Sequence, residues 1–166
     1  MTRHRFPQAV AALAIVLGTV GCSPALNWRA VRIEALSALL PCKPDQAQRK
    51  VPLAGQALPL QVAGCETAGA LYALSHVRVA DSTQVEATRN AWHQATVATL
   101  QASAAPGVPA ASGTVERLEG KKPDGSRVRA QLLWLTKGQD IYQVAVYGPT
   151  LDKDMTELLF SELRLQ

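Results

Sequence analysis

The first twenty-two residues constrain this chain more than any other stretch, because they decide where the fold begins and in which compartment it forms. Met1-Thr2-Arg3-His4-Arg5 carries two arginines and no acid, an apolar run of 12 residues follows from Ala9 to Val20, and Gly21 then precedes Cys22. Basic flank, apolar run and small residue in that order make residues 1–21 a signal peptide, removed from the working protein. As a helix the run would reach roughly 18 Å, against roughly 30 Å for the core of a bilayer. It is too short to stay as a membrane span, and no later stretch qualifies. The competing reading, a buried first helix of a cytosolic domain, does not account for that order of features.

Thr19-Val20-Gly21-Cys22 resembles the bacterial lipobox, in which a small residue precedes a cysteine that is lipidated and then becomes the new N-terminus. The resemblance implies acyl lipid, palmitate included, on Cys22. Thr19 stands where leucine is usual, and the alternative is a plain cleavage near Ala25 that discards Cys22. Ser23 is not the aspartate associated with inner-membrane retention, which points to the outer membrane. The expected organisation is a signal peptide over 1–21, a tether over 22–27 and one domain over 28–166, lipid-anchored and facing the periplasm.

Charge narrows the partners. The whole chain carries 17 basic and 13 acidic side chains, net +4. Arg3 and Arg5 leave with the signal and no acid does, so 15 basic against 13 acidic side chains leave +2. With no basic run longer than Lys121-Lys122, this argues against a nucleic-acid binder.

With Cys22 assigned to lipid, Cys42 and Cys65 remain as a pair in a compartment that permits disulfides. Arg49–Pro52 and Ala57–Val62 read as extended on either side of Leu53-Ala54-Gly55-Gln56, where Gly55 supplies turn freedom. If residues 53 and 56 pair, partner numbers sum to about 109, and the two cysteines sum to 107. They would then lie nearly opposite, at bridgeable separation. Two free buried thiols are the alternative; no C-x-x-C or His-x-x-x-His is present to complete a metal site.

Further along, Trp28–Leu40 ends at Pro41-Cys42-Lys43-Pro44, where closely spaced prolines stop regular structure. Strands are expected at Leu58–Cys65 and Leu71–Val79, then a helix from about Gln84 to Gln101 opened by a Thr83/Glu86 capping box. Thr88, Ala91, Ala95, Ala98 and Ala102 recur at helical spacing beside Trp92, a small-residue face that would sit close to a sheet. Residues 102–113 read as a low-complexity connector. Three strands follow, Thr114–Glu119, Arg127–Thr136 and Ile141–Tyr147, joined by Lys122-Pro123-Asp124-Gly125 and Lys137-Gly138-Gln139-Asp140. A last helix from about Asp152 presents Met155, Leu158 and Leu159. Short connections favour antiparallel pairing, so the class is α+β: a mostly antiparallel sheet with two helices packed on it.

Leu39-Leu40-Pro41-Cys42-Lys43-Pro44, Lys50-Val51-Pro52-Leu53-Ala54-Gly55 and Gly69-Ala70-Leu71-Tyr72-Ala73-Leu74, then the run from Asp140 to Gly148 and Leu159-Phe160-Ser161, follow one another along the chain. In that order they resemble the PsbP-like fold, shared by a plant photosystem extrinsic protein and many bacterial envelope lipoproteins. The resemblance implies a sheet with helices on it and a habit of assisting larger assemblies. It carries over no catalytic residue.

No chemistry-bearing motif stands out. There is no G-x-S-x-G, phosphate loop, paired-carboxylate signature or metal spacing, and no cofactor follows. His76, on a strand, and His93, on the helix beside Trp92, read as satisfied or solvent-facing histidines. Trp28, Trp92 and Trp134 read as core or rim, Arg127 and Arg129 as the solvated face of a strand. The expectation is a non-enzymatic, membrane-tethered module that binds or helps assemble an envelope protein partner. The alternative is a small-ligand binder or enzyme with a site between helix and sheet. A deep polar pocket bringing His76 or His93 near carboxylates would favour that alternative; a shallow surface with an exposed aromatic patch would favour the first reading.

Overall fold

Ala54 (φ 47°) and Gly55 (φ 77°) take two successive left-handed conformations, the type I′ geometry whose twist matches that of the flanking strands. The turn joins β3 (Asp45–Leu53) to β4 (Gln56–Thr67), with Leu53 opposite Gln56 and Asp45 opposite Gly64. That is the register expected from the turn. Ala68 and Gly69 repeat the device and lead into β5 (Ala70–Arg78). The structure, a computed structural model, describes residues 26–110 and 113–166. The expected signal peptide, Cys22 and most of the tether lie outside the described residues.

Seven strands form one antiparallel sheet in the order β3-β4-β5-β9-β8-β7-β6, where β6 is Ser103–Ala110, β7 Gly113–Lys121, β8 Arg127–Lys137 and β9 Asp140–Gly148. A second sheet of three short strands, β1 (Arg29–Ile33), β2 (Leu36–Leu40) and β10 (Arg164–Leu165), lies on one face with the helix α2 (Lys153–Ser161). There Tyr72, Leu74, Val144 and Val146 of the large sheet meet Leu36, Leu40, Met155 and Leu159. The helix α1 (Val85–Thr99) covers the opposite face, over Leu60, Val77 and Ile141. Because β5 and β9 are central and covered on both sides, their burial is nearly continuous rather than alternating. The fold is α+β with a large antiparallel sheet and two helices, one on each face.

Four details differ from the sequence reading. Trp28–Leu40 is a hairpin that turns at Glu34 (φ 50°), a position with no Gly, Asn or Pro to announce it. At the start of α1 the capping box does not form. Asp81 instead accepts from the Thr83 backbone N–H at 2.9 Å and opens a single 3-10 turn over Ser82–Gln84, while Glu86 pairs with Arg89 at 3.1 Å. Residues 103–110 are an edge strand rather than a connector, paired with β7 through a register shift between Ala105 and Val108. Its prolines are tolerated because it has a partner on one side only.

The fourth difference bears on function. The buried residues of α1 are Val85, Thr88 and Trp92, while Ala95 and Ala98 are exposed. The helix is therefore turned away from the expected alanine face, because one Trp buries more apolar area than several alanines.

Candidate binding groove

Past Trp92, Val97 and Leu100 pack over β7, β8 and β9, but toward β3, β4 and β5 the helix offers only short side chains. Ala95, Thr96 and Thr99 do not fill the space above β3, β4 and β5, and a groove of 590 Å³ opens there. Val51 and Leu53 of β3, Leu60 and Val62 of β4, and Leu71 and Ala73 of β5 give it an apolar floor. Val128 of β8 and Leu100 close its far end. The chain leaving α1 crosses β7 closely enough that a Cβ at Gly120 would overlap the Leu100 carbonyl oxygen. The Lys121 N–H donates to that oxygen at 2.7 Å.

Three polar groups of the groove, Gln143, Tyr147 and Thr96, are turned on one another, and Ser75 of β5 lines it beside them. Gln143 is 4% exposed in the middle of β9. Its Nε2 donates to Thr96 Oγ1 at 3.3 Å, and Tyr147 donates its hydroxyl to Gln143 Oε1 at 3.3 Å. Thr96 Oγ1 in turn donates to the Trp92 carbonyl at 3.0 Å. Burial pushes the Tyr147 hydroxyl well above its ordinary pKa, so it stays a neutral donor. With both ends of the Gln143 amide engaged inside the protein, the floor asks little hydrogen bonding of an occupant. The charged residues that line the groove are Arg49 and Lys122, both cationic. A second groove of 500 Å³, between α2 and β7–β8, carries both signs, with Arg117, Lys153 and Glu157 around Val115, Leu151 and Phe160.

The histidines lie elsewhere and apart. His76 Nε2 is 2.9 Å from Asp140, whose carboxylate also takes Arg78 at 3.0 Å, with the Tyr142 ring 4.9 Å away on the α2 face. His93, on α1, meets the Glu116 carboxylate at 2.9 and 3.0 Å and faces the Trp134 ring at 6.0 Å. Each is satisfied by a carboxylate and neither lines the groove, so the two pairs do not converge on one centre. Trp134 packs edge-on against Trp92 at 5.2 Å. Among the described residues Leu165, 37% exposed, is the large apolar side chain on the surface, so the aromatics make no exposed patch.

Cys42, in the link between β2 and β3, and Cys65, in β4, stand at disulfide distance with Cα atoms 5.9 Å apart. The position ties the small sheet to the large one. No helix of the described residues is long and apolar enough to cross a membrane, and no group of three His, Cys, Asp or Glu gathers among them to hold a metal.

Arg49, Ser75, Lys122, Gln143 and Tyr147 were not singled out from the sequence. Only Gln143 carried a signal, as the one polar side chain inside Ile141-Tyr142-Gln143-Val144-Ala145-Val146. No family model and no curated protein matches the chain.

Proposed function

We propose that this chain is a lipid-anchored protein of the bacterial envelope, held through Cys22 at the outer membrane and facing the periplasm, that acts by binding and not by turnover. The observation that carries the binding reading is the groove beneath α1: 590 Å³ falls within the roughly 300–1,000 Å³ of sites that hold small ligands. The basic flank, the apolar run and Gly21-Cys22 support the address. The PsbP-like resemblance is compatible with a large antiparallel sheet flanked by helices, and it supports a binding or accessory role by analogy alone.

Titration with an anilinonaphthalene sulfonate dye tests the site. Saturable one-to-one fluorescence enhancement is expected, and Ala95→Trp, which puts a large ring into the groove from an exposed helix position, should abolish it. A dye signal equal in both proteins, or no saturable signal in either, removes the groove as a binding site.

A protein-partner reading has separate support in β3. It ends the strand order, it is nine residues long, and its side chains from Asp45 to Lys50 are exposed. Such an edge can accept a strand from another chain. A photo-crosslinker at Gln48 in cells should yield one discrete envelope adduct; a chain left unmodified would count against this reading.

A further inference from the structure

Resting on the groove reading, we infer that its occupant is an anionic amphiphile with a single extended apolar chain. Three observations point that way. Its floor is built from Val51, Leu53, Leu60, Val62 and Leu71, and its buried amide is already satisfied by Thr96 and Tyr147. An apolar chain suits such a surface better than a sugar or a peptide backbone, whose polar groups would be left unpaired there.

The charged residues lining the groove, Arg49 and Lys122, are both cationic; no carboxylate lines it, and among the described residues neither makes an ion pair. A negative head matches either of them, and a cationic one would be repelled.

The cations also stand on opposite walls. Arg49 is on β3 and Lys122 follows β7, five positions apart in the strand order. At about 4.8 Å per strand the groove crosses roughly 24 Å of sheet. Length of that kind suits an extended chain rather than a compact ring.

Calorimetric titration with dodecanoate, dodecanol and dodecyltrimethylammonium, all kept below micelle formation, tests the inference on the full mature chain. Wild type should bind dodecanoate one-to-one, dodecanol more weakly and the ammonium least. In the Arg49→Gln/Lys122→Gln double variant, which removes the cation whichever end the head takes and is checked for fold by circular dichroism, dodecanoate affinity should fall roughly 1.4- to 5-fold. That range converts ~0.2–1 kcal/mol for the one exposed charge contact a single head can make, at about 1.4 kcal/mol per tenfold. Dodecanol affinity should not change. Equal binding of dodecanoate and dodecanol by wild type, or a double variant that binds dodecanoate as before, overturns the anionic head while leaving a binding groove. No binding of any of the three by wild type overturns the groove reading itself.

Discussion

Replacing Cys42 by alanine tests how the two sheets are held together. Cys42 and Cys65 are 23 residues apart in sequence, and a bond between them closes that loop in the unfolded chain. In the chain-entropy account a loop of this length removes roughly 11 cal/mol/K from the unfolded ensemble, or about 3.4 kcal/mol at 25 °C. Little else should change in the folded state. Cys65 is 7% exposed within the main core, where a thiol packs as a small apolar group, so the orphaned sulfur adds little penalty. Urea denaturation should therefore show a loss of roughly 2–4 kcal/mol, with a slightly steeper slope because the unfolded chain is freer to expand. Reductant should cost the wild type a similar amount and the variant nothing. Alkylation of the denatured, unreduced wild type that finds both thiols free would refute the reasoning, as would a loss well under 1 kcal/mol.

Other expectations follow from single contacts. Cys22→Ser should release the chain from membranes or leave its signal uncut, read by detergent partitioning and intact mass; an unmodified wild-type chain beginning beyond Cys22 would contradict the anchor. Trp92→Ala, at a side chain 7% exposed against Trp134, should cost about 3–5 kcal/mol by chemical denaturation. Ala95→Leu, at an exposed position over the open groove, should change stability by less than about 0.5 kcal/mol. Asp152→Ala removes the acceptor of the Met155 N–H at the start of α2 and should cost about 1 kcal/mol. Tyr72, Tyr142 and Tyr147 are the three tyrosines of the chain, and burial raises all of them above 10.0. A raised acid stabilises the fold fully below its unfolded pKa, and that stability is lost as pH rises beyond it. Phenolate absorbance should thus develop above the range of free tyrosine, with Tyr147 last; a folded-state titration centred at or below 10.0 would contradict the burial.

The elements that could be read from the sequence announce themselves locally. The β3–β4 register follows from Ala54-Gly55, and the β8–β9 hairpin from Lys137-Gly138-Gln139-Asp140, because a two-residue turn fixes every pair behind it. Glu34 gives no such notice, so the first hairpin was invisible. β6 was hidden by its prolines and small residues, since what makes it a strand is the ladder offered by β7 and not its own propensity. Periodicity points to the wrong face of α1 because it finds a stripe of alanines without weighing it against one Trp. The groove was the least legible feature. Its lining comes from five strands and a helix, and each residue taken alone reads as ordinary core or ordinary solvated surface. What marks the site is the space left where Ala95 and Thr99 are too short to fill it, and a volume left empty has no sequence signature.

Native mass spectrometry of the protein, taken from its own cells in mild detergent, tests the central claim most directly. Wild type should carry a releasable adduct of one acidic single-chain amphiphile per chain, distinct from any lipid covalently bound to the protein, and Ala95→Trp should lack it. A wild type free of any such adduct, or the same adduct retained in Ala95→Trp, would contradict a binding protein that works through the groove beneath α1.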